Sequence, residues 1–122
     1  MLPAPNRLRD NREFRQVYAQ GKSHVSGYAV IYVMPRADTD TANNSVRFGF
    51  VVSKKQGKAV VRNRIKRRLR EAIRLQLPSI IEKPCDVIFV GRSRLKTATW
   101  REVETAVAEL LKRGGLLHTA QN

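Results

Sequence analysis

Residues 46–77 read VRFGFVVSKKQGKAVVRNRIKRRLREAIRLQL, and two periodicities meet within them. Val46 to Val52 is rich in β-branched and aromatic residues and predicts a strand. From about Lys58 the pattern becomes helical and runs to Leu77, where Pro78 stops it by disfavouring a helical residue before it. At about 100° per residue, Val61, Ile65, Leu69, Ala72 and Ile73 gather within about 120° of one another. Asn63, Arg67, Arg70 and Arg74 cluster roughly opposite. Arg62 and Lys66 flank the apolar stripe on one side, Arg64 and Arg68 on the other. Such a helix has one face for a core and the rest for something else.

The remaining elements follow on either side of this unit. Asp10 and Glu13 have capping-box spacing, and Phe14, Val17 and Tyr18 share one face of a helix that runs to Gln20, with Gly21 as its stop. Tyr28 to Met34 predicts a further strand, and Ser23 to Val25 suits a short extra one. Pro35 to Ser45 is a polar connection too long for a tight hairpin, with no motif and no assigned role. Asp86 to Val90 is a compact apolar strand between Pro84 and Gly91. Thr99 and Glu102 form a second capping box, ahead of a stripe of Trp100, Val103, Val107, Leu110 and Leu111 that ends at Gly114-Gly115. Phe48, Phe50, Phe89, Trp100 and Cys85 are expected in the core, and the tail to Asn122 is expected to fray. The order helix, strands, helix, strand, helix predicts an α+β two-layer sandwich with helices packed on one small sheet.

A chain of 122 residues suits one domain, 1–122, with an ordered core of about 6–113. Its 42% hydrophobic content argues against full disorder. No run approaches the roughly 20 apolar residues of a membrane span, and the start Met1-Leu2-Pro3-Ala4-Pro5 lacks the pattern of a signal peptide. A single Cys makes no internal disulfide, so the expected compartment is the cytoplasm. The formal charge is +14, and Lys54 to Arg74 holds ten cations against the one acid Glu71, a net +9 within 21 residues. A folded domain this basic answers to a polyanion, nucleic acid before an anionic lipid surface.

An ordinary solvated face mixes Glu with Lys to gain pairs one turn apart. Here Arg64-Arg68, Arg62-Lys66, Lys66-Arg70 and Arg70-Arg74 set like charges at that spacing, and a phosphate backbone is the simplest compensation. The excess of Arg over Lys favours forked hydrogen bonding to phosphate and stacking on bases. No catalytic constellation emerges. His24 and His118 are far apart in sequence, Asp38 and Asp40 sit in the polar connection, and Cys85 has no metal-ligand spacing. Composition alone leaves Phe14, Tyr18 and Tyr32 open between core packing and base stacking.

Ser53-Lys54-Lys55, Gly57-Lys58-Ala59-Val60, Arg62-Asn63-Arg64-Ile65-Lys66-Arg67 and Leu69-Arg70 together resemble the signature of the bacterial ribonuclease P protein component. Asn6-Arg7-Leu8, the Phe14 helix ending at Tyr18, and the chain length are similar to that family too, so the resemblance spans about Pro5 to Arg113. It implies an αβββαβα domain with a left-handed crossover around the Arg-Asn-Arg helix, an exception to the usual right-handed rule. It also implies a subunit of a ribonucleoprotein endoribonuclease that removes the 5′ leader from precursor tRNA.

By position, Arg62, Asn63, Arg64, Lys66, Arg67 and Arg70 would contact the catalytic RNA subunit. Phe14, Tyr18, Tyr32 and Lys54 would line a leader cleft, with Tyr18 standing where relatives often carry Phe. The implied partners are that RNA and precursor tRNA, with no protein partner and no membrane. The chain alone is expected to bind no cofactor and to be inactive, the chemistry belonging to the RNA and its Mg²⁺. The competing reading is a structured-RNA binder without chemistry, such as a ribosomal protein. A helix-turn-helix DNA binder lacks its short turn around Lys58 to Leu77, and a membrane-surface helix would need the apolar stripe that the core takes.

Overall fold

The computed structural model describes residues 2–36 and 45–118. These form α1 (Asn11–Gln20), β1 (Lys22–Val25), β2 (Ala29–Pro35), β3 (Val46–Val51), α2 (Ala59–Gln76), β4 (Cys85–Gly91) and α3 (Trp100–Arg113), with short 3₁₀ turns between them. The αβββαβα order agrees with the expected one, including the short first strand. Asp38, Asp40 and most of the polar connection lie outside the described residues.

The four strands lie in the order β1-β2-β4-β3. β1 with β2 and β2 with β4 are antiparallel, whereas β3 and β4 are parallel neighbours. Parallel neighbours need a long crossover, and α2 supplies it. Strand alternation then sends side chains to two faces. Ala29, Ile31, Phe48, Val87 and Phe89 point to the face covered by α2 and α3, where they meet Ile65, Leu69, Ile73, Val107 and Leu110. Met34 and Ile88 point the other way and meet Val17 of α1 and Leu8. The main sandwich is thus α2 and α3 against the sheet, and α1 adds a shorter cover on the opposite face. This explains why β4 reads as a nearly continuous apolar run: it is central and covered on both sides.

Two expectations about the core change. Trp100 lies on the same helical face as Val103 and Val107, yet it is 37% exposed. It opens the first turn of α3. Helical periodicity sets where a side chain points, not whether another element reaches far enough to cover it. The packed region also extends beyond 6–113. Leu2 and Leu116 are buried at opposite ends of the chain. Gly115 adopts φ +72°, a left-handed turn after α3 that glycine makes without penalty. Past that turn the Ile81 amide bonds to the Leu116 carbonyl, and the His118 amide bonds to the Ser79 carbonyl, so the chain is tied down as far as His118.

The two capping boxes differ. At α3 the box closes: the Glu102 amide donates to Thr99 Oγ1 at 3.1 Å, and the Thr99 amide donates to Glu102 Oε1 at 2.8 Å. That backbone bond, followed by one from the Tyr28 hydroxyl, holds the Glu102 carboxyl below the usual carboxylate range. At α1, Asp10 caps the helix by accepting from the Arg12 amide. Glu13 reaches across to Arg47 Nη2 at 2.8 Å instead of completing a box.

Arg47 belongs to a network that sequence reasoning missed. Asp86, only 2% exposed, accepts from Arg36 Nη1 at 2.7 Å, and from Arg47 Nε and Nη2 at 2.8 Å each. Arg36 also donates to the Cys85 and Ser45 carbonyls. The bond to Asp86 outweighs the loss of hydration on burial, which acts the other way, and strengthens the Arg47 guanidinium's hold on its proton. A buried carboxylate persists when it is paired and hydrogen-bonded in this way.

Candidate nucleic-acid interface

Phe14 and Tyr18 stand one turn apart on α1, and alternation along β2 turns Tyr32 to the same side of the sheet. The Tyr18 and Tyr32 rings meet edge to face, with centroids 5.0 Å apart and planes at 78°. Tyr18 remains 42% exposed. Its phenol holds its proton more tightly than usual, first because of partial burial and then because of Tyr32. Phe14 and Tyr32 are half-buried and rest with Val51 and Val90 on the small core beneath α1.

The Phe14 ring is seated by an absence. A Cβ placed on Gly49 would lie 2.3 Å from Phe14 Cζ, so the ring occupies the space any other residue of β3 would fill. Glycine inside a strand often marks such a close approach. Lys54 stands exposed in the 3₁₀ turn that follows β3. The structure therefore brings the three expected rings together on one face, with Lys54 beyond the end of the strand that seats Phe14.

Beside Phe14 a groove of about 610 Å³ opens between the N-terminal segment, β3 and α2. Arg7 and Arg9 line one side, and Lys66, Arg67 and Arg70 line the other. Phe14, Gly49 and Phe50 also line it. The Phe50 ring stacks on buried Phe89 at 6.0 Å, and the Arg70 guanidinium lies over it at 5.8 Å. Glu71 is the single acid among the lining residues. Arg74 Nε donates to it at 3.0 Å, which lowers its carboxyl pKa. The groove thus pairs an apolar floor with a surplus of guanidinium and ammonium groups, an arrangement suited to a flexible polyanion with exposed ring faces.

Of the six cationic and amide positions expected on α2, only some line this groove. Lys66, Arg67 and Arg70 face the groove. Asn63 and Arg64 are exposed, while Arg62 is half-buried and its Nε donates to the Gly57 carbonyl at 3.2 Å. Arg68, outside that set, donates to the Ala98 carbonyl at 2.7 Å and ties α2 to the turn before α3. Burial, then repulsion from Arg64, lowers its pKa. The first turn of α2 holds no acid, and its N-cap Lys58 makes no side-chain cap. Cations crowded at the positive end of a helix dipole are unfavourable until an anion joins them.

Sequence reasoning gave Arg7, Arg9 and Gly49 no part in the site, although all three line the groove. The interior glycine in β3 was the available signal. Among the described residues, no group of three or more His, Cys, Asp or Glu side chains is placed to hold a metal ion. Cys85 is buried, and burial pushes its thiol pKa up. No helix among the described residues is long and apolar enough to cross a membrane.

The Ribonuclease P family model matches residues 2–115. The ribonuclease P protein component of Clostridium novyi (strain NT) is 45% identical over 113 residues, covering 90% of this chain and 94% of that protein. That of Alkaliphilus oremlandii (strain OhILAs) is 40% identical over 119 residues, covering 98% and 99%. Among solved structures, the Staphylococcus aureus RNase P protein superposes with a TM-score of 0.80 at 28% identity, covering 93% of this chain and 98% of that one. The Thermotoga maritima RNase P protein does so with a TM-score of 0.75 at 31% identity, covering 88% and 96%.

Proposed function

The chain belongs to the ribonuclease P protein family, and from that premise we propose that it binds the catalytic RNA of ribonuclease P along α2 and the 5′ leader of precursor tRNA along the aromatic face. It is a subunit of an endoribonuclease that acts in tRNA processing. The observation that carries the finer reading is the groove in which Phe14 meets the cations of α2 and of the N-terminal segment. Folded RNA presents chiefly phosphates and 2′-hydroxyls, for which Arg and Asn are suited. A single-stranded leader presents base faces, for which Phe and Tyr suffice without demanding a sequence.

The residues divide the work by what each can offer. Asn63, Arg64, Arg67 and Arg70 hold the RNA subunit, with Arg62 and Lys66 on the flank. Phe14, Tyr18 and Tyr32 stack the leader, and Lys54 meets its backbone. The RNA, with its Mg²⁺, supplies the hydrolytic chemistry, and the chain orients the substrate. The setting is the cytoplasm, where tRNA precursors are made.

Reconstitution tests this reading. Added to ribonuclease P RNA at physiological Mg²⁺, the chain should restore precursor cleavage, while RNA-free protein should cleave nothing. Binding without restored cleavage would favour a ribosomal-type structured-RNA binder. Site-specific cleavage by RNA-free protein would overturn the division of labour. For the α2 surface, Arg67→Ala should leave the fold intact. It should also shallow the log-log salt dependence of RNA-subunit binding by about 0.7–0.9, the effect of leaving one phosphate without its cation. An unchanged slope with unchanged affinity would remove Arg67 from the interface.

A further inference from the structure

Between the buried network and the aromatic face lies one shared side chain. Arg47 grips Asp86 of β4 with both Nε and Nη2, and that same Nη2 holds Glu13 of α1 at 2.8 Å. Arg47 and Gly49 share a face of β3, and Glu13 and Phe14 are neighbours on α1. The ion pair and the seat of the Phe14 ring are therefore adjacent contacts between the same two elements. Beneath them α1 is held by the one fully buried side chain it contributes, Val17. The other apolar contacts of α1 are the partly exposed Phe14 and Tyr18 rings themselves, which cannot fix their own placement, and each residue's worth of roll turns a side chain by about 100°.

We propose that Glu13, Arg47 and Asp86 act as positioning residues: the ion pair fixes the roll of α1 against the sheet and so holds the Phe14 and Tyr18 rings where a leader base can stack. The inference rests on the leader-binding reading above. Two observations support it beyond the distances. Glu13 forgoes the capping-box bond that its spacing allows and that Glu102 makes at α3. The Arg47 side chain is itself fixed, because its other bonds end on a buried carboxylate that Arg36 also holds. Glu13 is thus anchored to the sheet interior rather than to a mobile surface cation.

The sign of the effect separates positioning from simple electrostatics. A carboxylate beside a site for a polyanion repels it, so removing Glu13 for charge reasons alone should tighten binding. If Glu13 positions the rings, removing it should weaken binding.

The test uses the reconstituted ribonucleoprotein with a precursor bearing a several-nucleotide leader and with mature tRNA. Glu13→Ala should weaken precursor binding by about 2- to 30-fold, the range of mutations that act through a packed neighbour. Affinity for mature tRNA and assembly with the RNA subunit should stay as they are. Glu13→Gln, whose amide oxygen still accepts from Arg47, should recover most of the loss. Glu13→Ala with Phe14→Ala should lose less than the sum of the two single losses, since the part of the Glu13 effect that passes through the Phe14 ring is already gone.

Tighter or unchanged precursor binding by Glu13→Ala overturns the proposal, and so does an equal loss for both tRNA forms. Phe14→Ala measured in the same series separates the two levels. If it shows a leader-dependent loss and Glu13→Ala does not, the positioning role alone is wrong. If it shows none, the leader cleft is wrong and the positioning role falls with it.

Discussion

Asp86→Ala is expected to lower the thermal unfolding midpoint by about 10–20 °C. Removing one partner of a buried ion pair costs roughly 3–5 kcal/mol, because the other charges stay behind without compensation. At this chain length each kcal/mol shifts the midpoint by roughly 3–5 °C. Arg36 and Arg47 would be left converging on an empty space, their side chains only 12% and 19% exposed. Arg36 would keep the Cys85 and Ser45 carbonyls, and Arg47 would keep Glu13. Those remaining partners place the expected loss toward the lower end of the range. Asp86→Asn, with the same shape and one acceptor oxygen retained, should lose less than Asp86→Ala. Circular dichroism melts of the three proteins check this, and a shift under about 3 °C for Asp86→Ala would show that the arginines are compensated by solvent instead.

This network also marks where the sequence ceased to be legible. The apolar stripe of α2 and the unbroken run of β4 announced their elements because their signals are local, repeating every few residues. Asp86 is a single acid at the head of an apolar strand, and its partners Arg36 and Arg47 lie 50 and 39 residues away. Nothing in the neighbourhood of any of the three says that they meet. Glu13 misled in the opposite direction: its spacing from Asp10 indicates a local cap, and the tertiary bond to Arg47 takes precedence. Trp100 followed its helical stripe correctly in direction, yet the stripe carries no information about the extent of the neighbouring sheet.

The candidate site was legible to a similar degree. The α2 cations stood out as a run of like charge, and the signature around Arg62-Asn63-Arg64 gave them a role to test. Sequence reasoning assigned the rings and the cations to separate surfaces. Their junction at the groove depends on Gly49 and on the N-terminal segment running parallel to the edge strand β3, where Arg7 pairs with Phe48 and the Leu8 amide bonds to the Phe48 carbonyl. The position of Arg7 and Arg9 opposite α2 follows from that pairing, and no periodicity encodes it.

Phe14 is the residue at that junction, and its removal should be felt in one form of the substrate only. Base stacking on an aromatic ring contributes about 1–3 kcal/mol, so Phe14→Ala should weaken binding of a leader-bearing precursor by roughly 5- to 150-fold. Mature tRNA has no leader to stack, and its affinity should barely change. Assembly with the RNA subunit should stay near normal, because Lys66, Arg67 and Arg70 remain on the far side of the groove. Gly49→Ala provides the complementary measurement. Its methyl group would fall 2.3 Å from Phe14 Cζ, so the ring is kept while its seat is lost. If location matters as much as the ring itself, Gly49→Ala should show the same leader-dependent loss, once circular dichroism has shown that both variants fold. An equal loss for precursor and mature tRNA, or failed assembly with the RNA subunit, would place Phe14 in the core or in the RNA interface. The leader would then have to be held by Tyr18 and Tyr32 without it.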